Sequence, residues 1–566
     1  MNLSLRDGNL ITVCLLFLTL TSCSSFTQTP KPNYKNYLKI AILSDPQTFN
    51  PLLITDAISS RISSLMFDGL TQMDGETYQM KPSLATKWEH SKDGLTWTFH
   101  LRQNVRWSDG QIFTADDVLF TYQDLLYNPK IPVSSRDGLT INGKPIQWTK
   151  IDEYTVQAQL PKKFASFLRQ LSLSILPKHV LDKNLKNNSF TRAWNMTANT
   201  KNIIGTGPFC LKNYRVGERL ILERNPHYWK QDADGKAQPY LDGVIVFVLA
   251  DQNTTLLHFE RGELDILSMD GETYAYLSKR KGAFKIYELG PSWGTQFLTL
   301  HLQREVFPPE KQYLYDWFQK KSFRQALSYT IDRKRMIEQL FYDKGHAQYG
   351  PLSVANKIYY NDQIKTYQHN PKHALALLQE SGFYLKDNFL YDASHRPVRF
   401  EVILGSESKI SMNLGHMLQH DLKKIGIQLQ LNPLPFLVMI QKVMQNQDWQ
   451  AMLLGLSGEV DPYASKNVWT SEGHLHFWNL HSQKNFSWEE RLDEIFMQVT
   501  VEMNMQKRIK LYNEWQELVA EELPLIYTVI PTSLVAVHTR LKNVVPSSFG
   551  GVLHHIEEIE IDGTLQ

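Results

Sequence analysis

Two histidines and one serine have spacings close to those of metal ligands and nucleophiles. His474 and His476 lie two residues apart in "SEGHLHFW". On a strand their imidazoles would share one face and be able to bind nickel or zinc, although a single H-x-H pair among aromatic residues is more often structural. Ser457 lies in "GLSGE", which lacks the G-x-S-x-G spacing of a hydrolase nucleophile elbow. These patterns leave a metal carrier as an alternative and make a surface-anchored hydrolase the least favoured class.

Cys23, in "LFLTLTSCSSF", is the third candidate for chemistry. The apolar run before it, residues 10–20, is shorter than the ~20 residues of a membrane-spanning helix and is typical of a secretory signal. The tetrapeptide "LTSC" resembles a bacterial lipobox, in which the cysteine receives a diacylglyceryl group and becomes the first residue of the mature chain. We therefore predict a signal peptide over 1–22 and a lipidated tether over 23–35. An ordinary cleaved signal with an incidental cysteine is the alternative.

This prediction puts the folded part of the protein in the periplasm or at the cell surface, attached to a membrane through acyl chains on Cys23. Cleavage would remove Cys14 and leave Cys210 as the other thiol of the mature chain. Because Cys210 lies between two apolar residues, we expect it to be a small buried side chain rather than a reactive one.

Composition indicates a large globular protein without a polyanionic partner. The formal net charge is +2, with 42% hydrophobic and 21% charged residues. Basic runs, zinc-finger spacings and RNA-binding motifs are absent from the sequence, so nucleic acid is not an expected partner. The roughly 540 residues that follow the signal exceed the about 250–300 that one hydrophobic core serves, so we expect more than one domain.

The elements at the start of the mature chain follow from hydrophobic periodicity. "LKIAIL" predicts a buried strand. "AISSRISSLMFDGL" predicts a helix with Ile58, Ile62 and Leu65 on one face, serines on the other, and Gly69 at its end.

Local turn and capping signals are dense between residues 85 and 126. Asp93-Gly94 and Asp109-Gly110 predict tight turns. Thr114 predicts a helix N-cap, with Asp117 at the capping-box position.

The same region carries a family signature. "KPSLATKWEHSKDGLTWTFHLRQNVRWSDGQIFTADDVLFTY" resembles the signature of bacterial family 5 extracellular solute-binding proteins, the peptide- and nickel-type binding components of ABC importers. "IGTGPFCLKNYRVGERLILERNPHYWK", "FRQALSYTIDRKRMIEQLF", "PKHALALLQESGF" and "LKKIGIQLQL" resemble later family motifs, in the family's order. The resemblance covers roughly residues 37–550.

The resemblance implies a two-lobe α/β fold of the periplasmic-binding-protein type (type II, cluster C-like), with an extra α/β domain inserted in the first lobe. Two chain crossings join the lobes, and the ligand lies between them. Carried over to this chain, the implied divisions are 36–70 with 196–290 and 515–566 for lobe I, 71–195 for the inserted domain, and 291–514 for lobe II. The α/β alternation of the later motifs independently favours the last division.

Ligand contacts are expected from loops at the lobe edges. The candidates in the loop after the first strand are Thr48, Phe49 and Asn50, and the candidate after the first crossing is Trp293. The loop that aligns with the family's specificity loop, here called the specificity loop, contributes Gly455, Leu456, Ser457, Gly458, Glu459 and Asp461. Trp469, beyond that loop, is the last candidate.

The specificity loop departs from the oligopeptide-binding type of the family. Those members carry an aspartate three residues before an acidic-proline pair, and it holds the peptide's α-ammonium group. Here the pair is Asp461-Pro462 and the corresponding position is Gly458, while the tryptophan expected three residues earlier is Gly455. Glu459 is one residue along and could supply the charge, but a one-residue shift reverses direction on an extended backbone.

The resemblance implies an ABC-importer binding protein that carries a solute, with oligopeptide favoured, and that works as a monomer with a permease and its ATPase. No cofactor and no catalysis are expected. A nickel or metal-chelate carrier on the same scaffold is the first alternative, and a sensing role for the closed form is a further one.

Overall fold

The computed structural model describes residues 34–141, 143–480 and 486–563. The predicted signal peptide, Cys23 and most of the tether lie outside these residues. Within them the protein is an α/β structure with the following helices: α1 Ala57–Ser63, α2 Ala115–Leu119, α3 Phe167–Gln170, α4 Lys178–Lys186, α5 Gln252–Glu260, α6 Gly271–Leu277, α7 Tyr313–Phe318, α8 Lys321–Thr330, α9 Arg333–Phe341, α10 Pro371–Glu380, α11 Lys409–Lys423, α12 Phe436–Gln441, α13 Lys466–Trp469, α14 Ser487–Val501 and α15 Met505–Glu522.

The strands of the same residues are β1 Tyr37–Ile42, β2 Thr71–Met73, β3 Met80–Pro82, β4 Ala85–His90, β5 Thr96–Leu101, β6 Thr140–Ile141, β7 Lys144–Pro145, β8 Gln147–Asp152, β9 Thr155–Gln159, β10 Phe209–Arg215, β11 Arg219–Arg224, β12 Gly243–Val248, β13 Ile266–Met269, β14 Phe284–Pro291, β15 Thr295–Leu300, β16 Gly345–Ala347, β17 Tyr384–Lys386, β18 Phe389–Tyr391, β19 Arg399–Gly405, β20 Gln428–Leu434, β21 Ala451–Leu456, β22 Leu525–Tyr527, β23 Val529–His538, β24 Leu541–Lys542 and β25 Glu560–Ile561.

Four larger sheets organise the body. Their strand orders are β1-β12-β11-β10, β13-β23-β14 with β16 also on β23, β20-β19-β21-β15-β22, and β4-β5-β9-β8. β1 pairs in parallel with β12, as expected of the buried strand predicted from "LKIAIL". None of the helices formed by the described residues is long and apolar enough to cross a membrane.

Two separate hydrophobic clusters correspond to the two lobes. The first runs from β1 through the inserted sheet to β12 and includes Val535 and Ile559 near the C-terminus. The second is built on the β15-containing sheet and its helices, from Phe297 to Val529. A chain of this length therefore divides its core as expected.

Two crossings connect the lobes. The first follows β14, which pairs with β23, and leads into β15, which pairs with β21 and β22. The return crossing lies within β23, because its residues through Pro531 pair with β16 while Thr532 pairs with Pro291 of β14. The Ser292 amide donates to the Pro531 carbonyl at 2.9 Å, so the crossings are hydrogen-bonded to each other.

The predicted return boundary between 514 and 515 falls inside α15. Trp515 and Val519 of this helix are buried in the second cluster. The chain therefore stays in lobe II until β22 has joined its sheet, and the return crossing comes later than the sequence pattern indicated.

The predicted turns and cap in the inserted domain are present. β4 and β5 form an antiparallel hairpin across Asp93-Gly94, where Gly94 has φ of 70°. Thr114 caps α2, and Asp117 completes the capping box. Because these signals act over a few residues, they do not depend on the tertiary structure.

The prediction that Gly69 ends the first helix was wrong. α1 ends at Ser63, with Ser64 as its C-cap. A Cβ on Gly69 would lie 2.6 Å from the backbone carbonyl carbon of Ser172. The glycine is thus required by close backbone packing rather than by helix termination.

Candidate functional site

An aromatic junction lies where the first crossing meets the inserted domain and the C-terminal segment. The Trp293 ring centroid is 5.3 Å from that of Tyr78 and 5.0 Å from that of Phe549. The Ser548 hydroxyl accepts a hydrogen bond from Trp293 Nε1 at 3.3 Å and lies 3.3 Å from the Tyr78 hydroxyl. Val460 packs buried against the same rings. Four distant parts of the chain, one of them from lobe II, therefore meet at Trp293.

The specificity loop begins within β21, which contains Gly455 and Leu456, and its glycines pack against the crossing. A Cβ on Gly458 would lie 1.8 Å from the Trp293 carbonyl oxygen, and one on Gly455 would meet the Gln296 side chain at 2.4 Å. Asn356 fixes the following residues by donating to the Glu459 and Val460 carbonyls at 3.2 and 3.0 Å. Position 458 is therefore sterically closed to any side chain in this backbone.

Asp461 is buried and is hydrogen-bonded by several side chains. Its carboxylate accepts hydrogen bonds from Ser166 at 2.7 Å, Arg508 at 3.0 Å and Tyr512 at 3.1 Å. Burial is the largest influence and opposes its ionisation, but the Arg508 and Arg169 guanidinium groups and the hydrogen bonds to the carboxylate together hold the Asp461 pKa below its ordinary value. Because Ser166 belongs to the inserted domain, Asp461 links that domain to lobe II.

Glu459 differs from Asp461 although it is two residues away. Its side chain is exposed, and its carboxylate makes no hydrogen bond or ion pair with any described residue. Burial nevertheless raises its pKa, and Arg169 partly opposes this.

Arg169 of the inserted domain stands beside these carboxylates. Its Nε lies 3.9 Å from Asp461 Oδ2, and its NH2 donates to the Tyr78 carbonyl at 3.2 Å. Its NH1 lies 2.9 Å from the sulfur of Met73. The guanidinium thereby connects the specificity loop with the aromatic junction.

A cavity of about 470 Å³ adjoins the junction. Met73 and Phe549 belong both to its wall and to the junction cluster. Its other walls come from α1, from strands of lobe I and from the C-terminal segment, and they mix charged, hydroxyl and apolar side chains. Ligand cavities of this size are common in proteins and combine apolar walls with a few polar groups.

Asp68 lies in the cavity wall. Burial raises its pKa to about 6, although the hydrogen bond from Trp229 Nε1 at 3.1 Å opposes this. The neighbouring Glu557 forms an ion pair with Lys230. The Asp68 and Glu557 carboxylates of the cavity wall are therefore already partnered.

The first-strand candidates do not reach the cavity wall. Phe49 is buried against Tyr214, with ring centroids 5.5 Å apart, and Asn50 is buried as the N-cap of a short 3-10 turn. The Thr48 hydroxyl accepts from the Asn50 amide at 3.1 Å. These side chains shape the loop that follows β1.

The remaining predicted side chains are dispersed. Trp469 is buried between Trp478 and Trp515, with ring centroids at 5.6 and 5.3 Å. Ser457 is exposed on the specificity loop, and Leu456 is a half-buried residue at the end of β21.

The two histidines do not share a face. His474 is exposed, whereas His476 is fully buried with both ring nitrogens facing acceptors, the Val468 carbonyl at 3.0 Å and Glu489 at 3.1 Å. Both ring nitrogens of His476 are thus engaged by protein atoms. Across the described residues, no group of three or more His, Cys, Asp or Glu side chains is placed to hold a metal ion.

Cys210 is half-buried, and burial raises the pKa of its thiol to about 11. A thiol with a raised pKa is mostly protonated at neutral pH and is a poor nucleophile.

Four residues of this region were not singled out from the sequence: Arg61, Tyr78, Arg169 and Phe549. Each belongs to a different segment, and no local pattern sets it apart from ordinary helix or loop residues. Only the tertiary structure identifies them, by placing Tyr78, Arg169 and Phe549 at the junction and Arg61 in the cavity wall.

Two lobes, two hydrogen-bonded crossings and a cavity next to the crossings define the class of two-lobe solute-binding proteins. The family model of bacterial extracellular solute-binding proteins, family 5, matches residues 79–475, and the chain belongs to this family.

Similar proteins cover nearly the whole body. A protein of Deinococcus radiodurans named "Probable ABC transporter-binding protein" is 28% identical over 513 residues, which cover 86% of this chain and 85% of that protein. The oligopeptide-binding protein AppA of Bacillus subtilis in complex with a nonapeptide has a TM-score of 0.75 at 23% identity, covering 93% of this chain and 98% of that one. NikZ of Campylobacter jejuni in complex with Ni(L-His) has a TM-score of 0.75 at 24% identity, and the match covers 93% of this chain and 99% of that one. These structural likenesses show the fold.

Proposed function

We propose that the protein is the extracytoplasmic substrate-binding component of an ABC importer, and that it captures an oligopeptide and releases it chemically unchanged to a permease. The cavity of about 470 Å³ beside the junction carries this proposal. The cavity wall reaches the first crossing at Leu289 of β14, and a ligand enclosed in the cavity would make stronger polar contacts because water is excluded.

The specificity loop supports a peptide as cargo but with a different anchor. Gly458 leaves no room for the aspartate of other peptide binders, while the neighbouring Glu459 carboxylate faces solvent without a hydrogen-bonding partner among the described residues. We assign to Glu459 the role of binding the ligand's ammonium group. Nickel-histidine is the second candidate cargo, because the Campylobacter protein of the same fold binds it.

Ligand-dependent thermal stabilisation of the full-length protein in mild detergent tests this proposal. A set of di- to nonapeptides is compared with nickel-histidine at equal concentrations. A bound cargo raises the melting temperature in line with RT ln(1 + [L]/Kd). We expect stabilisation by peptides. Stabilisation by nickel-histidine alone would mean that nickel-histidine, and not a peptide, is the cargo. Hydrolysis of a bound peptide would overturn the binding function.

We further propose that acyl chains on Cys23 hold the protein at the membrane. The lipobox-like "LTSC" and the polar tether after it support this proposal. Mass spectrometry of the N-terminal peptide should show a diacylglyceryl adduct on Cys23. Cys23→Ser should move the protein from the membrane fraction to the soluble fraction, and retention of this variant in the membrane fraction would contradict the anchor.

A further inference from the structure

Arg61 is a cation without a partner at the cavity. It lies on α1 and forms part of the cavity wall. Its guanidinium makes no hydrogen bond, ion pair or ring contact with any described residue. The side chain is exposed to solvent, yet burial lowers its pKa. The Arg61 side chain therefore faces the cavity, where water reaches it and where an anionic group of a ligand could bind it.

The other charged groups of the cavity do not neutralise Arg61. Asp68 accepts from Trp229, and its cationic neighbours are Lys230 and Arg102. Glu557 is paired with Lys230. Of the charged side chains described in the cavity wall, Arg61 is thus the one left available to an anion.

Hydroxyl groups lie on the sheet that also forms the cavity wall. Ser268 of β13 is in register with Val535 of β23, and Ser533 precedes Val535 by two residues, so these side chains share one face of the sheet. All three belong to the cavity wall. The hydroxyls of Ser268 and Ser533 have no hydrogen-bond partner among the described residues. A guanidinium and two free hydroxyls are donors suited to a carboxylate.

We propose that Arg61 is the carboxylate anchor of the binding cavity, and that Ser268 and Ser533 donate to the same group of the ligand. This inference rests on the proposed function, and it narrows the cargo to solutes that carry a carboxylate, such as a peptide with a free C-terminus. The apolar side chains of Leu65, Leu289 and Val535 in the same wall then contact the part of the ligand next to the carboxylate.

The test compares one peptide in two forms on two proteins. The peptide of the di- to nonapeptide set that stabilises the protein most is prepared as the free acid and as the C-terminal amide, and both are titrated calorimetrically. We expect the wild-type protein to prefer the acid by about 10- to 100-fold, the range of a charge-assisted hydrogen bond. Arg61→Met keeps the apolar stem and should bind acid and amide equally, while Arg61→Lys should restore part of the preference.

Glu459→Gln is the matched control, because it should weaken both forms of the peptide to the same extent and leave the acid-to-amide ratio unchanged. Equal ratios for the wild type and Arg61→Met would overturn the Arg61 proposal alone. Absence of binding of any peptide to the wild-type protein would overturn this inference together with the oligopeptide function. A melting temperature of Arg61→Met equal to that of the wild type would confirm that the loss lies in ligand binding.

Discussion

The surroundings of Asp461 and of Arg61 show two ways in which this protein holds a charge away from bulk water. Asp461 is fully buried and is bonded to Ser166, Arg508 and Tyr512. Arg61 lies at a cavity and has no bonding partner among the described residues. Complete pairing serves the scaffold, because the partners exist before any ligand arrives. An unpaired charge in a protein-walled space instead stabilises a ligand of opposite charge.

Removal of one partner of the buried pair should have the largest effect on stability. Arg508→Met leaves the Asp461 carboxylate buried without its cation, and we expect a loss of about 3–5 kcal/mol in the free energy of unfolding. Urea denaturation measures it. Arg61→Met is the matched control and should stay within about 0.5 kcal/mol of the wild type. Equal losses in the two variants would remove the distinction between the regions.

Asp68 tests the cavity side of the comparison through pH. Its folded-state pKa of about 6 is above the ordinary value of 3.8, so the folded state binds more protons than the unfolded state between these values. The stabilisation from protonated Asp68 is therefore lost as pH rises from about 4 to about 6. Across this pH range Asp68→Asn should gain stability relative to the wild type. Above pH 6 the difference in the free energy of unfolding should be at most about 3 kcal/mol.

Thermal unfolding of both proteins at a series of pH values measures this difference, with the exposed Asp234→Asn as control. A stability difference that does not change between pH 4 and 7 would show that Asp68 is not held in a water-poor site.

The close contact at Gly458 should have an intermediate effect. Gly458→Ala places a Cβ against the Trp293 carbonyl, and we expect about 1–3 kcal/mol of destabilisation from overpacking, together with weaker peptide binding. Gly563→Ala is the control, since its Cβ would meet nothing within 4 Å. Urea denaturation measures the stability effect and calorimetry measures the binding effect. If Gly458→Ala changes neither, the loop shifts to accommodate the added methyl group without cost.

The smallest effect on stability is expected for the second carboxylate of the specificity loop. Glu459→Gln should change the free energy of unfolding by less than about 0.5 kcal/mol, because no described side chain is bonded to the carboxylate. Its affinity for a peptide with a free α-ammonium group should fall about tenfold. Unchanged affinity would exclude Glu459 as the ammonium anchor.

The sequence predicted the family and the two-lobe α/β fold, and it predicted the Asp93-Gly94 turn and the Thr114 cap, because these depend on short stretches of chain. The return crossing was misplaced, since the periodicity of α15 shows that it is amphipathic but does not show which lobe buries its apolar face. The aromatic junction was not predicted. Trp293 was named as a candidate ligand contact from its position after the crossing, and that role stays a prediction, while its ring partners Tyr78 and Phe549 are far away in the chain.

Arg61 shows the limit of helix periodicity most directly. The pattern of α1 assigned Ile62 to the core face and left the serine-rich face toward solvent. Periodicity distinguishes the face that packs on the core from the face that does not. It does not distinguish bulk water from water inside a cavity, and this difference separates an ordinary surface arginine from a binding residue.

The bond between the two crossings has a consequence for motion. Both crossings carry a proline, Pro291 and Pro531, and neither has an amide hydrogen to add to the Ser292–Pro531 bond. A change in the angle between the lobes therefore involves this bond together with the neighbouring pairing of Pro291 with Thr532. The Ser292 amide is accordingly the position where deuterium uptake should report the swing of one lobe against the other.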